Sequence, residues 1–321
     1  MVSLQDIQAA HKRIQKVVIN TPVMTSNTAN RLTNCHLFFK CENFQRVGAF
    51  KFRGAYNAIS QLSSKEKEQG VIAHSSGNHA QAVALAAQML GVPATIVMPE
   101  NSSPVKIAAT QDYGATIVFC EPKLKSREAT TNALIEKHRF VLIHPYDDPR
   151  IIAGAGTVAL EFLNEVKNLD AIFAPVGGGG LISGTAIATK GANPTTKVYA
   201  VEPEQADDAF KSFKSGKLLL STNPTTIADG LRTSLSELTF SIIRKHVDDI
   251  ITVSEDEILE AMRFLWERMK LVIEPSGAVP LAGVFKLREQ ISNQHLGIIL
   301  SGGNVDLTRF FNHWHTDSTK R

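Results

Sequence analysis

Residues 71–99 read VIAHSSGNHAQAVALAAQMLGVPATIVMP. A short apolar run ends in small polar residues. An alanine-rich helical pattern follows, stops at Gly91, and gives way to a second apolar run. Strand, helix, strand is the βαβ unit, because two parallel strands need a long crossover between them. Gly91 falls where a helix C-cap is expected.

The rhythm continues outward. ATIVMP leads into SSPVKIAATQDYG, where Ser102 or Ser103 before Pro104 marks a helix start and Gly114 a helix end. ATIVFC leads into SREATTNALIEKH, and FVLIHP closes the series. A second series runs from LDAIFAPV through GGGGLISGTAIATKGA and VYAVEP to LGIILSGGN. Two α/β layers are expected. A small one covers residues 70–147, and a large one takes residues 1–69 and 148–321. No Pro- or Gly-rich linker separates them and no internal repeat occurs. The final HWHTDSTKR is polar and is expected to fray.

Composition narrows the function classes. A formal charge of +3 over 321 residues, with no long basic run, gives no reason to expect nucleic acid. No apolar run is long enough to span a bilayer, and the opening MVSLQDIQAAHKRIQK lacks the apolar core of a signal peptide. The cysteines, Cys35, Cys41 and Cys120, are odd in number and scattered. A reducing, cytoplasmic location is the expectation. Cys41, in the strand-like LFFKCEN, reads as a buried structural thiol.

Three stretches could carry chemistry. VGAFKFRGAYNA sets Lys51 between Phe50 and Phe52. Its stem could lie on apolar surface with the ammonium in water. Held out of water instead, it would have a lowered pKa and could form a Schiff base. Gly177–Gly180 follow a strand and precede a helix. That is a tight turn, or a loop whose N–H groups face a phosphate. The G-x-G-x-x-G pattern fails here, as does the P-loop, although Glu202 stands about where a ribose-binding acid would. In HSSGNHAQA, Ser75, Ser76 and Asn78 sit at a strand's carboxyl end, where open α/β sheets bind ligands; plain helix capping needs only one of them. LSGGN repeats that arrangement with Ser301 and Asn304. A Schiff-base lysine beside a phosphate loop suggests pyridoxal 5′-phosphate.

The motifs FKFRGA, SSGNHAQA, GGGG, ADGL and SGGN occur in the order found in fold type II pyridoxal-phosphate enzymes. Over nearly its whole length the chain resembles that family, and within it the serine racemase and serine/threonine dehydratase group. The resemblance implies two open twisted sheets flanked by helices, the tryptophan synthase β-like architecture. It implies that Lys51 carries the cofactor, Gly177, Gly178, Gly179 and Gly180 bind its phosphate, Asn78 meets the ring hydroxyl, Phe50 packs on the ring and Ser301 meets the pyridine nitrogen. Ser75, Ser76, Asn78 and His79 should lie around the substrate, with Lys51 and Ser76 as the catalytic pair. Dedicated threonine dehydratases typically read SAGNH where this chain has SSGNH, so a hydroxyl stands where racemisation needs an acid. The resemblance further assigns Glu202, the Ala206 carbonyl and Asp208, in VEPEQADD, to Mg²⁺ (or Ca²⁺ or Mn²⁺). Some members bind ATP between subunits; Ser26, Asn27, Gln81 and Tyr113 fall in those regions, with Asn27 where a second serine is common.

The expectation is therefore a homodimeric serine racemase that also eliminates water from L-serine and L-threonine. A dedicated threonine or threo-3-hydroxyaspartate dehydratase is the nearest alternative. An acidic substrate would need a further cation, for which Arg46 and Arg53 are near in sequence. A nicotinamide oxidoreductase and a non-catalytic cofactor-binding protein are the alternatives of another class.

Overall fold

A computed structural model describes residues 2–307; the terminal HWHTDSTKR lies outside them. Ten strands are found there: β1 (Val23–Thr25), β2 (His36–Cys41), β3 (Val71–His74), β4 (Ala94–Pro99), β5 (Thr116–Cys120), β6 (Val141–Leu142), β7 (Ala171–Pro175), β8 (Lys197–Pro203), β9 (Asp249–Val253) and β10 (His295–Leu300). They form a six-stranded sheet in the order β1-β2-β10-β7-β8-β9 and a four-stranded sheet in the order β5-β4-β3-β6. Every pairing is parallel except β1 with β2. The βαβ rhythm accounts for the parallel pairs. The antiparallel edge comes from the N-terminal segment, which lies outside that rhythm.

Helices cover both faces of each sheet. In the large sheet, β7, β8 and β10 pack on one face against helices Glu255–Met269 and Pro275–Lys286, and on the other against Pro149–Glu165 and Gly180–Ala192. In the small sheet, one face packs on Asn78–Met89 and the other on Leu124–His138. Helix Lys51–Ser60, which the sequence groups with the large layer, also buries Phe52, Ala55 and Ile59 in the core of the small one. Gly91 and Gly114 end their helices at φ 66° and 77°, as expected of C-cap glycines. Ser103 does precede a helix, but its hydroxyl donates to Asp306 rather than capping.

Three helices meet with no side chain between them. A Cβ on Gly154 would lie 2.7 Å from the Arg53 carbonyl oxygen, and one on Gly184 would lie 2.5 Å from the Gly156 nitrogen. The Lys51–Ser60 helix is thereby pressed onto Pro149–Glu165, and that helix onto Gly180–Ala192. The N-terminal ends of the first and last carry Lys51 and the glycine loop.

Candidate active site

The loops at the carboxyl ends of β3, β6, β7 and β10 supply the site, two from each sheet. Ligands are expected at such ends in open α/β sheets. Lys51 is the first residue of its helix, and its Nζ donates to the Pro145 carbonyl at 2.8 Å. Burial lowers the ammonium from 10.5 to about 8, against the opposing pull of Glu274. The Phe50 ring centroid is 5.2 Å from Nζ. Phe52 turns away into the small core beside Tyr56, so only one of the two flanking aromatics dries the lysine. The Phe50 N–H donates to the Ser301 carbonyl, and Ala49 bridges to Gly302. The end of β10 is thus tied to the start of the lysine helix.

Gly177–Gly180 lie between β7 and helix Gly180–Ala192. Packing alone demands all four. A Cβ on Gly177 would meet Leu231, on Gly178 or Gly180 Tyr146, and on Gly179 Leu235 and Thr239, each within 3 Å. The loop is buried, yet among the described residues none accepts a hydrogen bond from the N–H groups of residues 177–182. Buried amides without acceptors are uncommon. A row of them at a helix N-terminus fits an anion such as the cofactor's phosphate.

Helix Asn78–Met89 is capped by Gly77, not by a serine. Ser75 accepts from the Gly77 N–H, and among the described residues nothing bonds to the Ser76 hydroxyl. Ser76 is therefore not occupied in holding the helix. Asn78 donates to Glu274 at 2.6 Å and accepts from Asn304 at 2.9 Å. His79 is 3% exposed and tied by Nε2 to the Ile143 carbonyl at 2.8 Å. Burial, then the charge on Lys51, holds it well below its usual pKa. Only its other ring nitrogen could turn to a ligand.

Several residues here carry no signal in the sequence. Glu274 is an acid buried between Asn78 and Gly302; burial first, then Asp229, raises it to about 8. His144 is pushed down to about 4 by burial and by His74 beside it. Tyr146 lies edge-on to His144 and is raised to about 12 by burial. Arg127 acts electrostatically on both His74 and Tyr146, and its Nε is buried with no hydrogen-bond partner. The two arginines near Lys51 in sequence are engaged elsewhere. Arg53 is fully buried between Glu42 and Glu161, and Arg46 donates to the Val17 carbonyl.

In the acidic loop, Glu202 is fully buried and accepts from the Ala209 and Phe210 N–H groups. Desolvation raises Glu202 well above the usual carboxylate range and Asp208 to about 6. Neither oxygen of Asp208 makes a well-formed hydrogen bond. Two buried acids and the buried Ala206 carbonyl suit a hard cation. No group of three or more His, Cys, Asp or Glu side chains gathers among the described residues. Of the residues expected at a nucleotide site, Ser26 caps the helix that Asn27 begins, while Gln81 is buried on the Asn78 helix and Tyr113 packs on the small core.

Comparison with known proteins agrees with this arrangement. The sequence profile for pyridoxal-phosphate dependent enzymes matches residues 14–302. The chain belongs to that family. A serine racemase of Dictyostelium discoideum is 50% identical over 311 residues, 96% of each protein. An L-threo-3-hydroxyaspartate ammonia-lyase of Saccharomyces cerevisiae is 51% identical over 306 residues, 95% of this chain and 94% of the relative. The structure of maize serine racemase superposes with a TM-score of 0.93 at 41% identity, over 99% of this chain and 98% of that one. This pyridoxal-phosphate enzyme thus has a fold type II scaffold. No helix among its described residues is long and apolar enough to cross a membrane.

Proposed function

We propose that the enzyme interconverts L- and D-serine and, in the same site, converts L-serine and L-threonine to α-keto acids and ammonia by β-elimination. The observation that carries this reading is a pair of groups: a Lys51 amine lowered to about 8 and held only by the Pro145 carbonyl, and a Ser76 hydroxyl with no partner among the described residues. They come from different sheets' elements. Relatives of both activities support it.

When bound, pyridoxal phosphate supplies the electron sink that makes a substrate Cα–H acidic. The N–H row of residues 177–182 would hold its phosphate and Asn78 and Ser301 would meet its ring, while Phe50 keeps water off Lys51. Lys51 removes the α-proton. The Ser76 hydroxyl delivers a proton to the same carbon from the other side, which inverts it, and solvent restores both groups. If the β-hydroxyl leaves first, as water, the enamine product then takes up a water and breaks down to an α-keto acid and ammonia. Glu202, the Ala206 carbonyl and Asp208 would hold Mg²⁺ or a similar cation. Residues 70–147 form the small domain and the rest the large one, a division that the two sheets support. Three buried, unpaired cysteines fit a cytoplasmic enzyme, and the resemblance implies a homodimer. A nucleotide effector at Ser26, Asn27, Gln81 and Tyr113 rests on the resemblance alone.

The test is Lys51→Ala, which removes nucleophile and base together. Its cofactor absorbance and both activities should vanish. Turnover in that variant would remove Lys51 from its role, and a normal wild-type spectrum without turnover on any hydroxy amino acid would make the chain a cofactor-binding protein.

A second reading, 3-hydroxyaspartate as substrate, is favoured by Arg127, a cation within electrostatic reach of His74 and Tyr146 whose Nε is buried with no hydrogen-bond partner. Arg127→Ala should lower kcat/KM on that substrate roughly 10- to 100-fold more than on serine, the scale of a charged hydrogen bond. An equal loss on both would set this reading aside.

A further inference from the structure

Val47 is β-branched yet sits in the left-handed region, with φ 57° and ψ 16°. Such side chains rarely adopt that conformation. Its carbonyl accepts from Nδ2 of Asn304 at 2.6 Å. Gly48 leaves room for the amide, since a Cβ there would lie 2.7 Å from Asn304 Oδ1. A backbone carbonyl can only accept, so the Asn304 amide is held nitrogen-first and cannot flip. The same nitrogen donates to Oδ1 of Asn78. Asn78 is therefore held oxygen-first toward Asn304, and its Nδ2 donates to Oε1 of Glu274. One N–H of Asn78 is left without a partner among the described residues.

We propose that Asn304 and Glu274 are positioning residues that lock the Asn78 amide so that its spare N–H, not its oxygen, meets the cofactor's ring oxygen. This rests on the reading above that Asn78 faces that oxygen. A donor there favours the ring oxygen without its proton. The proton then sits on the nitrogen joining Lys51 to the cofactor. An acceptor there would hold the proton on the oxygen instead. The proton only changes place, so no other reactant is needed. The nitrogen-bound form absorbs at longer wavelength, so the spectrum reports which way Asn78 faces.

The experiment compares absorbance spectra of holoenzymes at equal cofactor content, measured after alkaline release. Wild type should show the long-wavelength band. Asn304→Asp sets an acceptor against Asn78 Oδ1, turns that amide over, and should move most absorbance to the short-wavelength band. Asn304→Ala removes the lock without repulsion and should give a mixture; it decides alone if the aspartate variant does not fold. Glu274→Leu removes the acceptor for Asn78 and should also give a mixture, whereas Glu274→Gln, which keeps an acceptor, should keep the long-wavelength band; an unchanged spectrum in Glu274→Leu removes Glu274 from the pair. Wild-type spectra in the Asn304 variants overturn the proposal. Asn78→Ala tells the two failures apart. If it also leaves the spectrum unchanged, Asn78 does not face the ring oxygen and the underlying reading fails. If it moves the band while the Asn304 variants do not, only the positioning role fails.

Discussion

The Nζ of Lys51 lies 2.8 Å from the carbonyl oxygen of Pro145, a residue 94 positions further along the chain. The lysine therefore rests on the loop at the end of β6, next to Tyr146, which packs against the glycine loop. One short segment, His144–Pro145–Tyr146, touches both places where the family's cofactor is gripped.

Cofactor loading should report the lysine's pKa. Only the neutral amine attacks an aldehyde. Folding lowers the group from 10.5 to about 8, so the neutral fraction grows with pH and saturates earlier than for a free lysine. The rate of pyridoxal phosphate addition to the apoenzyme should climb about tenfold per pH unit below the folded pKa and level off above about 8. Stopped-flow absorbance measures it. A rate still climbing through pH ~10, the range of an unperturbed lysine, would mean that burial does not tune Lys51.

Ser76→Ala separates the two proposed activities. Elimination from the L-substrate needs only Lys51 as base, whereas racemisation needs a proton donor on the other side. Racemisation should fall ~10²-fold or more, the scale of a positioned acid, with a much smaller loss of L-serine elimination. Elimination from D-serine should fall with racemisation. Damage to folding or cofactor content would lower every rate together. Equal loss of racemisation and L-serine elimination in fully loaded enzyme would make Ser76 a binding group.

The βαβ alternation and the strand-to-helix junctions were legible because periodicity and glycine placement are local signals. The glycine loop, Ser76 and Asn78 lie at such junctions, Lys51 at a helix start and Ser301 just past β10; Phe50 bonds to Ser301, and the segment that holds Lys51 packs on the glycine loop. Glu274, Tyr146 and Arg127 were not legible. Each enters the site through tertiary packing, from stretches whose local pattern resembles any helix start, loop or polar helix. Arg53 shows the converse: its nearness to Lys51 in sequence suggested substrate contact, but two residues along a helix turn a side chain by about 200°, to the opposite face, and its side chain ends between Glu42 and Glu161.

Gly178→Ala tests the packing explanation of the glycine loop. The added methyl would lie 2.2 Å from the Tyr146 ring, an overlap of the kind that costs ~1–3 kcal/mol in a packed core. The variant should melt lower and bind cofactor more weakly. Adding Tyr146→Ala should restore much of the melting temperature. Full cofactor affinity and an unchanged melting temperature in the single variant would show that the ring yields freely.

Chelation examines the acidic loop. A cation that binds only the folded chain stabilises it by mass action. If Glu202, Ala206 and Asp208 hold one, thorough chelation should lower the melting temperature and Mg²⁺ should restore it. Glu202→Gln should abolish that response. A melting temperature indifferent to chelator and metal would leave the raised pKa values of Glu202 and Asp208 as a matter of burial alone.

The helices that meet at Gly54–Gly154 and Gly156–Gly184 do so backbone against backbone. The span from the amine of Lys51 to the N–H row is thus gauged by main-chain atoms, which are the same in every sequence. Substitutions in the loops can redraw the substrate pocket without touching that gauge. A single methyl at Gly154 or Gly184 would change the gauge itself, for every substrate at once.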